Sequence, residues 1–459
     1  MTAIPVIAIF DVGKTNKKLF LFDETYKIVY EKSARFIETV DEDEFPCENI
    51  ESLRLSVFDS LSEVFRLKQF DVKAVNFSAY GASLVYVDAV GNPLCPLYNY
   101  LKPYPENISR EFYLKYGGQE QFSIKTASPV LGSLNSGLQF YRLKKEQPEI
   151  FNQIKFGLHL PQYLSFLLSG KPYSDITSVG CHTGMWDFEN KRYHEWIQNE
   201  GLALKLAPLI PANKVMPTLF PGNSYKVGIG LHDSSAALIP YLVNFTEPFI
   251  LISTGTWCIS LNPFNHQPLN ADELKEDCLC YLQYEGTPVK ASRVFSGFEH
   301  EKEVQRIAMH FNTDIIKYRN IPFEADLVSS MRLKELHIAS PRKQSAFGSR
   351  NLDDYKNDTE AYHQLVSDLV DLQVSSTNLI LSGTNTKRIF VDGGFSKNKV
   401  YMNLIAMSFP KMEVFAASMA QSTALGAAIA LHKSWNRKPL PSNLIELNYY
   451  QSTAYIPST

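Results

Sequence analysis

The spacing of apolar and polar positions sorts this chain into strand-like runs around two glycine turns, with helical stretches between them. Ile7-Ala8-Ile9-Phe10 is an apolar run that stops at Asp11, and Val12-Gly13-Lys14-Thr15-Asn16 follows as a turn. Lys17 to Asp23 reads as a second strand and Tyr26 to Tyr30 as a third, so the turn lies inside a hairpin. The same logic returns in the second half. Phe249-Ile250-Leu251-Ile252 runs into Ser253-Thr254-Gly255-Thr256, and Trp257 to Leu261 leads away as a strand. Two such hairpins, one in each half, point to two related domains.

Helical spacing of Ile50, Leu53, Val57, Leu61, Val64 and Phe65 predicts a helix over 49–67. Further helices are expected at 139–152, 161–168, 193–202, 299–311 and 359–379, and strands at 72–78, 84–88, 388–391 and 414–415. Ser123 to Ser136 reads as a polar, serine-rich segment, and residues 268–350 as the least legible part. Asp392-Gly393-Gly394 stands between a strand and a helix that opens at Phe395-Ser396-Lys397-Asn398. Ser422 to Ala428 is a helix of small residues, fit for close packing under a nucleotide loop.

Chemistry enters at the turns. Backbone N–H groups in a turn such as 13–16 form an anion nest, and Gly13 lets a phosphate come close. Asp11, at the strand end, can hold Mg²⁺ directly or through water. Gly13-Lys14-Thr15 imitates the end of a Walker A loop, but that loop needs an earlier Gly where Ala8 stands, and a helix where a strand follows. Gly393-Gly394 admits a flat ring or a phosphate near the backbone, and it lacks the G-x-G-x-x-G pattern of a dinucleotide site. Asp233, in Gly228-Ile229-Gly230-Leu231-His232-Asp233, is either the N-cap of the next helix or a carboxylate presented at a cleft. The loop Asn99 to Tyr104 combines aromatic faces with amide and Lys donors, a composition that suits sugars and equally suits a structural loop. His182 by itself is more simply a structural residue.

The chain has 459 residues, enough for two or more domains, and a net charge of −3, which gives no general attraction to nucleic acid or anionic membrane. No apolar run is long enough to cross a bilayer. Six scattered cysteines read as reduced thiols of a cytoplasmic protein, with no zinc-ligand spacing.

Taken together and in order, Asp11 to Asn16, Leu231-His232-Asp233, Ser253 to Trp257, Asp392-Gly393-Gly394 with Asn398, and Ser422 to Gly426 resemble the FGGY carbohydrate kinases of the actin-like ATPase fold. The resemblance implies an α/β chain of two actin-like (ribonuclease H-like) domains, 1–243 and 244–459, with the active site in the cleft between them. It implies ATP and Mg²⁺ as cofactors. Gly13, Lys14, Thr15 and Asn16 would meet the phosphates from one side, and Thr254, Gly255 and Thr256 from the other. Gly393, Gly394 and Asn398 would hold adenosine. Asp11 and Asp233 would serve the metal, and Asp233 would also be the general base. Ser83, Tyr100, Thr183, His232 and Asp233 would line the sugar. Trp257 after Gly-Thr, and Ser174-Asp175-Ile176-Thr177, resemble the L-fuculose and L-rhamnulose kinases more than those for xylulose or glycerol. The expected partners are therefore a 6-deoxy-ketohexose and ATP, with no nucleic acid or membrane. Xylulose or ribulose kinases, and a non-catalytic actin-like regulator or sugar sensor, are the alternatives. His232-Asp233 favours the enzyme. The oligomeric state is open, a homodimer included.

Overall fold

The computed structural model describes residues 3–14, 17–34, 38–220, 224–334, 344–419 and 421–451. The first half is built on a seven-stranded sheet. Its strands are β1 (Ile4–Val12), β2 (Lys17–Asp23), β3 (Ile28–Ala34), β4 (Phe70–Ala79), β5 (Val215–Pro217), β6 (Lys226–Gly228) and β7 (Leu231–His232), in the order β5-β6-β4-β1-β2-β3 with β7 also paired to β4. Helix α1 (Ile50–Arg66) lies between β3 and β4 in sequence, and α2 (Asp233–Asn244) follows β7 directly. The second half is built on another seven-stranded sheet of β8 (Phe249–Thr254), β9 (Cys258–Asn262), β10 (Cys278–Leu282), β11 (Pro288–Val294), β12 (Arg388–Gly393), β13 (Glu413–Ser418) and β14 (Glu446–Tyr450). Their order is β10-β11-β9-β8-β12-β13-β14. Helices α3 (Ser296–His310), α4 (Asp358–Leu381), α5 (Lys399–Ser408) and α6 (Ser422–Ala430) complete it. The two hairpins expected from the sequence thus lie in different sheets.

Each sheet buries both faces. On one face of the first, Val6, Ala8 and Leu21 pack on Leu53, Val57 and Leu61 of α1, the apolar stripe legible at helical spacing. On one face of the second, Ile250, Ile252 and Val391 pack on Leu365, Val366 and Leu369 of α4. The remaining faces meet a shared pair of helices. Ala424, Ala427 and Ala428 of α6 cross back from the second half to pack on Ile7, Ile9 and Phe20. Helix α2 turns Ala236 and Ile239 to that cluster, and Leu238 and Tyr241 to Phe249, Leu251 and Phe390 of the second sheet. The two helices approach closely enough that a Cβ on Gly426 would lie 1.8 Å from the Ala236 carbonyl oxygen. Asn76 of β4 ties the same region together, donating to the Ala427 carbonyl at 2.8 Å and accepting from the Gly230 N–H at 3.1 Å.

Several boundaries differ from the sequence reading. The third strand starts at Ile28, because the Asp23 carboxylate accepts from the N–H groups of Thr25 and Lys27 and closes a tight turn in which Tyr26 takes a left-handed φ of 62°. The helix expected over 139–152 is two, Ser136–Glu146 and Pro148–Gln153, since Pro148 starts a helix more readily than it continues one. The segment read as polar and serine-rich begins in the last turn of the helix Gln119–Thr126, whose Ser123 and Thr126 are buried. The stretch 193–202 holds only a short helix, Glu195–Asn199.

Candidate active site

The register of the first sheet sets Asp11, Ser78 and Leu231 side by side across β1, β4 and β7. Asp233 follows two residues later, so two carboxylates emerge at the same end of β1 and β7, the parallel strands that flank the end of β4, where open α/β sheets bind their ligands. Asp11 accepts from Thr423 Oγ1 at 2.8 Å. Burial pushes its pKa up to about 6, the nearby Asp233 charge adds to the rise, and Thr423, Lys18 and Ser78 oppose it. Asp233 is also raised to about 6, by burial, with the bonds from Ser234 working against the shift. Its side chain nevertheless keeps 32% of its surface, as expected of a group enclosed by protein and open on one side to a cleft.

Asp233 is the first residue of α2, and its Oδ1 accepts from the adjacent Ser234 N–H at 2.6 Å. An N-cap side chain would instead bond the N–H two or three residues on from the residue before the helix. The N-cap alternative is therefore not realised, and the carboxylate is free for other work. His232 precedes it with a buried ring stacked on Tyr281 of β10, centroids 5.7 Å apart and planes 19° apart. Its Nε2 lies 3.0 Å from Cys181 Sγ and 3.2 Å from Asp233 Oδ1. Burial lowers its pKa to about 3, so the ring is neutral. A Cβ at Gly81 would meet that ring at 2.9 Å, which accounts for a glycine there. The His232 N–H donates to Thr177 Oγ1 at 3.0 Å, and Thr177 is bonded to Asp175, so the Ser174–Thr177 stretch buttresses the loop that carries Asp233.

Among the other expected sugar contacts, Tyr100 is half-buried and close enough to the site for the Asp233 charge to help burial raise its phenol. Ser83 and Thr183 are buried. The Thr183 hydroxyl is engaged locally, donating to the Val179 carbonyl at 2.7 Å and accepting from the Met185 N–H at 3.1 Å. Of these residues and His232, it is His232 that has a contact with Asp233.

The first turn is partly described: Thr15 and Asn16 lie outside the described residues. Lys14 Nζ stands 5.6 Å from the Tyr80 ring and 5.7 Å from the Tyr100 ring, and 3.6 Å from Glu48 Oε1. Lys17 Nζ is 3.1 Å from the other oxygen of Glu48. One buried carboxylate thus faces two lysines beside the turn. Glu48 sits on a short strand with no legible motif around it. Thr423 belongs to a segment legible only as packing, and its hydroxyl at the start of α6 is the signal that could have marked it.

In the second sheet Thr254 pairs with Gly393. Thr254 Oγ1 donates to the Asp392 carbonyl and accepts from the Phe395 N–H at 3.0 Å. Gly393 has φ +86°, and a Cβ there would sit 1.9 Å from the Thr254 carbonyl oxygen, so only glycine closes this junction. Gly394 is exposed, with no atom within 4 Å of where a Cβ would point. Gly255 and Thr256 are exposed at the turn. The turn is braced from below, since a Cβ on Gly297 would meet the Gly255 carbonyl oxygen at 1.8 Å. Asn398 accepts from the Tyr401 N–H at 3.0 Å, capping α5, and donates to Tyr362 Oη at 2.7 Å. Among the described residues no group of three or more His, Cys, Asp or Glu is placed to hold a metal ion, and no helix is long and apolar enough to cross a membrane.

Residues 6–239 match the N-terminal domain of the FGGY family of carbohydrate kinases, and residues 246–439 match the C-terminal domain of carbohydrate kinase FGGY. Rhamnulokinase from Halalkalibacterium halodurans is 22% identical over 279 residues, which are 54% of this chain and 52% of that protein. The chain thus spans about half the length of the curated relatives it matches. Among solved structures, a carbohydrate kinase from Novosphingobium aromaticivorans is similar with a TM-score of 0.77 at 21% identity, over 98% of this chain and 95% of that one. A ligand-bound xylulose kinase from Lactobacillus acidophilus is similar with a TM-score of 0.78 at 16% identity, over 98% of this chain and 94% of that one. These likenesses carry the fold: two α/β domains of the actin-like ATPase type. With a family domain matched in each half, the chain belongs to the FGGY family of carbohydrate kinases.

Proposed function

We propose that this protein is an ATP-dependent kinase for a ketose, with a 6-deoxy-ketohexose such as L-rhamnulose or L-fuculose as the acceptor. The observation that carries the reading is the pair Asp11 and Asp233, two carboxylates raised together to about 6 at one end of the first sheet. The rhamnulokinase relatives and Trp257 support the 6-deoxy sugar. In this reading the halves divide near residues 243 and 244, and the protein works in the cytoplasm.

Phosphoryl transfer asks little covalent chemistry of a protein. It asks for an aligned hydroxyl, a carboxylate to take its proton, and compensation of charge at the γ-phosphate. Asp233 accepts the hydroxyl proton as the sugar oxygen bonds phosphorus and the bond from phosphorus to the ADP oxygen breaks. An alcohol is a far weaker acid than a carboxyl group, so that proton moves late. In this reading the turns at Gly13 and at Gly255-Thr256 would meet the phosphates from opposite sides, with Lys14 as the nearby cation. Gly393, Gly394 and Asn398 flank adenosine, and Tyr100 offers a ring to the sugar. The donor set fits Mg²⁺: two mutually repelling carboxylates, with no third acidic ligand among the described residues, suit an ion that keeps its waters and arrives with nucleotide phosphates. Asp11, with Asp233 beside it, would hold that ion, which supplies charge neutralisation at the phosphates.

The direct test is ADP release by purified protein with ATP and Mg²⁺ against L-rhamnulose, L-fuculose, xylulose and ribulose. Strongest turnover on a 6-deoxy-ketohexose is the expected result. Turnover on none of the ketoses would overturn the enzyme reading. With an accepted sugar, kcat/KM should rise with pH through about 6 and level off above it, because the base acts only as the carboxylate and Asp233 is raised to about 6. A profile flat from pH 5 to 8 would remove Asp233 from that role. Gly394→Val should fold normally, since its Cβ would point into open space, and should weaken ATP binding by crowding the ring. Titration calorimetry with ATP would check this, and unchanged affinity would move adenosine elsewhere.

A further inference from the structure

The donors around Asp233 are one-sided. Oδ1 accepts from the Ser234 N–H at 2.6 Å and from Ser234 Oγ at 3.2 Å, and His232 Nε2 lies 3.2 Å from the same oxygen. Among the described residues no donor reaches Oδ2. A neutral imidazole carries one N–H, and its position follows from what surrounds the ring. His232 Nδ1 is buried and has no partner among the described residues. With the proton on Nδ1, a buried donor would be unpaired and the bare Nε2 would face a carboxylate oxygen. With the proton on Nε2, the contacts to Asp233 Oδ1 and to Cys181 Sγ are both attractive, and only an acceptor lone pair is left over. The second arrangement avoids both penalties. The ring is held in it by the stack on Tyr281 and by the close approach of Gly81.

We infer that His232, as its Nε2–H tautomer, and Ser234 are positioning residues that anchor Asp233 through Oδ1 and reserve Oδ2 for the hydroxyl proton of the acceptor. Neither touches the reacting atoms. This rests on Asp233 being the base, as proposed above. It gives His232 a task that its burial permits, where direct contact with a sugar would need an exposed ring.

Two measurements test it. The first needs no activity: the ¹³C and ¹⁵N shifts of the His232 ring distinguish the tautomers, and the Nε2–H form is expected. The Nδ1–H form would overturn the inference even if the kinase reading stood. The second compares His232→Phe, which keeps a ring to stack on Tyr281, with His232→Gln, which restores an N–H near the Nε2 position. For a ketose that the wild type phosphorylates, His232→Phe should lower kcat by about 10²-fold, the cost of a misaligned catalytic group. The KM values for sugar and ATP should stay within about 3-fold, and His232→Gln should recover most of kcat. A purely structural role predicts loss of folded protein in both variants with full kcat in what remains, and that result would sink the idea. Ser234→Ala removes the second anchor without touching the ring, and an unchanged kcat there would exclude Ser234. Absence of turnover in the wild type would count against the function itself, and the tautomer measurement would still decide the arrangement.

Discussion

Asp233→Asn is expected to leave the fold and ATP binding intact and to cut sugar phosphorylation by about 10²–10⁴-fold, the usual contribution of a general base. Asn is nearly isosteric, and its amide oxygen can still accept from the Ser234 N–H that Asp233 holds at 2.6 Å. What it cannot do is take a proton from the acceptor hydroxyl. Because the side chain bonds its neighbour instead of capping the helix, a stability loss of even the roughly 1 kcal/mol typical of a lost cap is not expected. Asp11→Asn should also slow turnover, for a different reason: its carboxylate faces the ion brought by the nucleotide, so raised Mg²⁺ should restore part of the rate. Asp233→Asn should show no such recovery. Steady-state kinetics at saturating sugar and ATP over a Mg²⁺ series separates the two. Near-normal turnover of Asp233→Asn would leave the mechanism without its centre.

Gly426→Val is expected to be the most damaging single change to the architecture. The added Cβ would stand 1.8 Å from the Ala236 carbonyl oxygen, a backbone atom that no rotamer change can move aside. Helices α2 and α6 would have to separate, and with them Ala424, Ala427 and Ala428, which pack on the first sheet. Overpacking in a well-packed core costs about 1–3 kcal/mol and occasionally more, and a clash against backbone belongs at or above the top of that range. The midpoint of denaturant unfolding should fall accordingly, and Thr423 should lose its place beside Asp11. Gly394→Val, with open space around it, is the control. Equal stability of the two variants would show that the helix pair does not hold the molecule together.

The strands were legible because short buried apolar runs such as Leu19 to Phe22 and Ile250 to Ile252 are bounded by polar and turn residues. Helix α1 was legible because one face is buried and the other solvated. The helix end at Ser123 to Thr126 was not legible in the polar, serine-rich composition, because its serine and threonine are buried by tertiary packing. The two glycine turns, as hairpins, and the place of Asp233 between a strand and a helix were legible as short polar breaks between apolar runs. Glu48 was not, since its meaning depends on Lys14 and Lys17 arriving from another strand. Tyr281 was not, because its stack on His232 joins positions far apart in the chain.

The shared helix pair has one more consequence. Any rotation of one half against the other must be absorbed where both halves grip the same elements, and α2 and α6 are such a place. An axle moves least along its own line. Asp233 begins α2, and Thr423, which holds Asp11, lies in the first turn of α6. Asp233 therefore rides on the axle and Asp11, on β1, is tied to it through Thr423, while Thr254 to Thr256 and Gly393-Gly394 travel with the second sheet. If the second sheet holds the nucleotide as proposed, swinging it would carry the terminal phosphate toward or away from the carboxylates and leave the spacing between them unchanged.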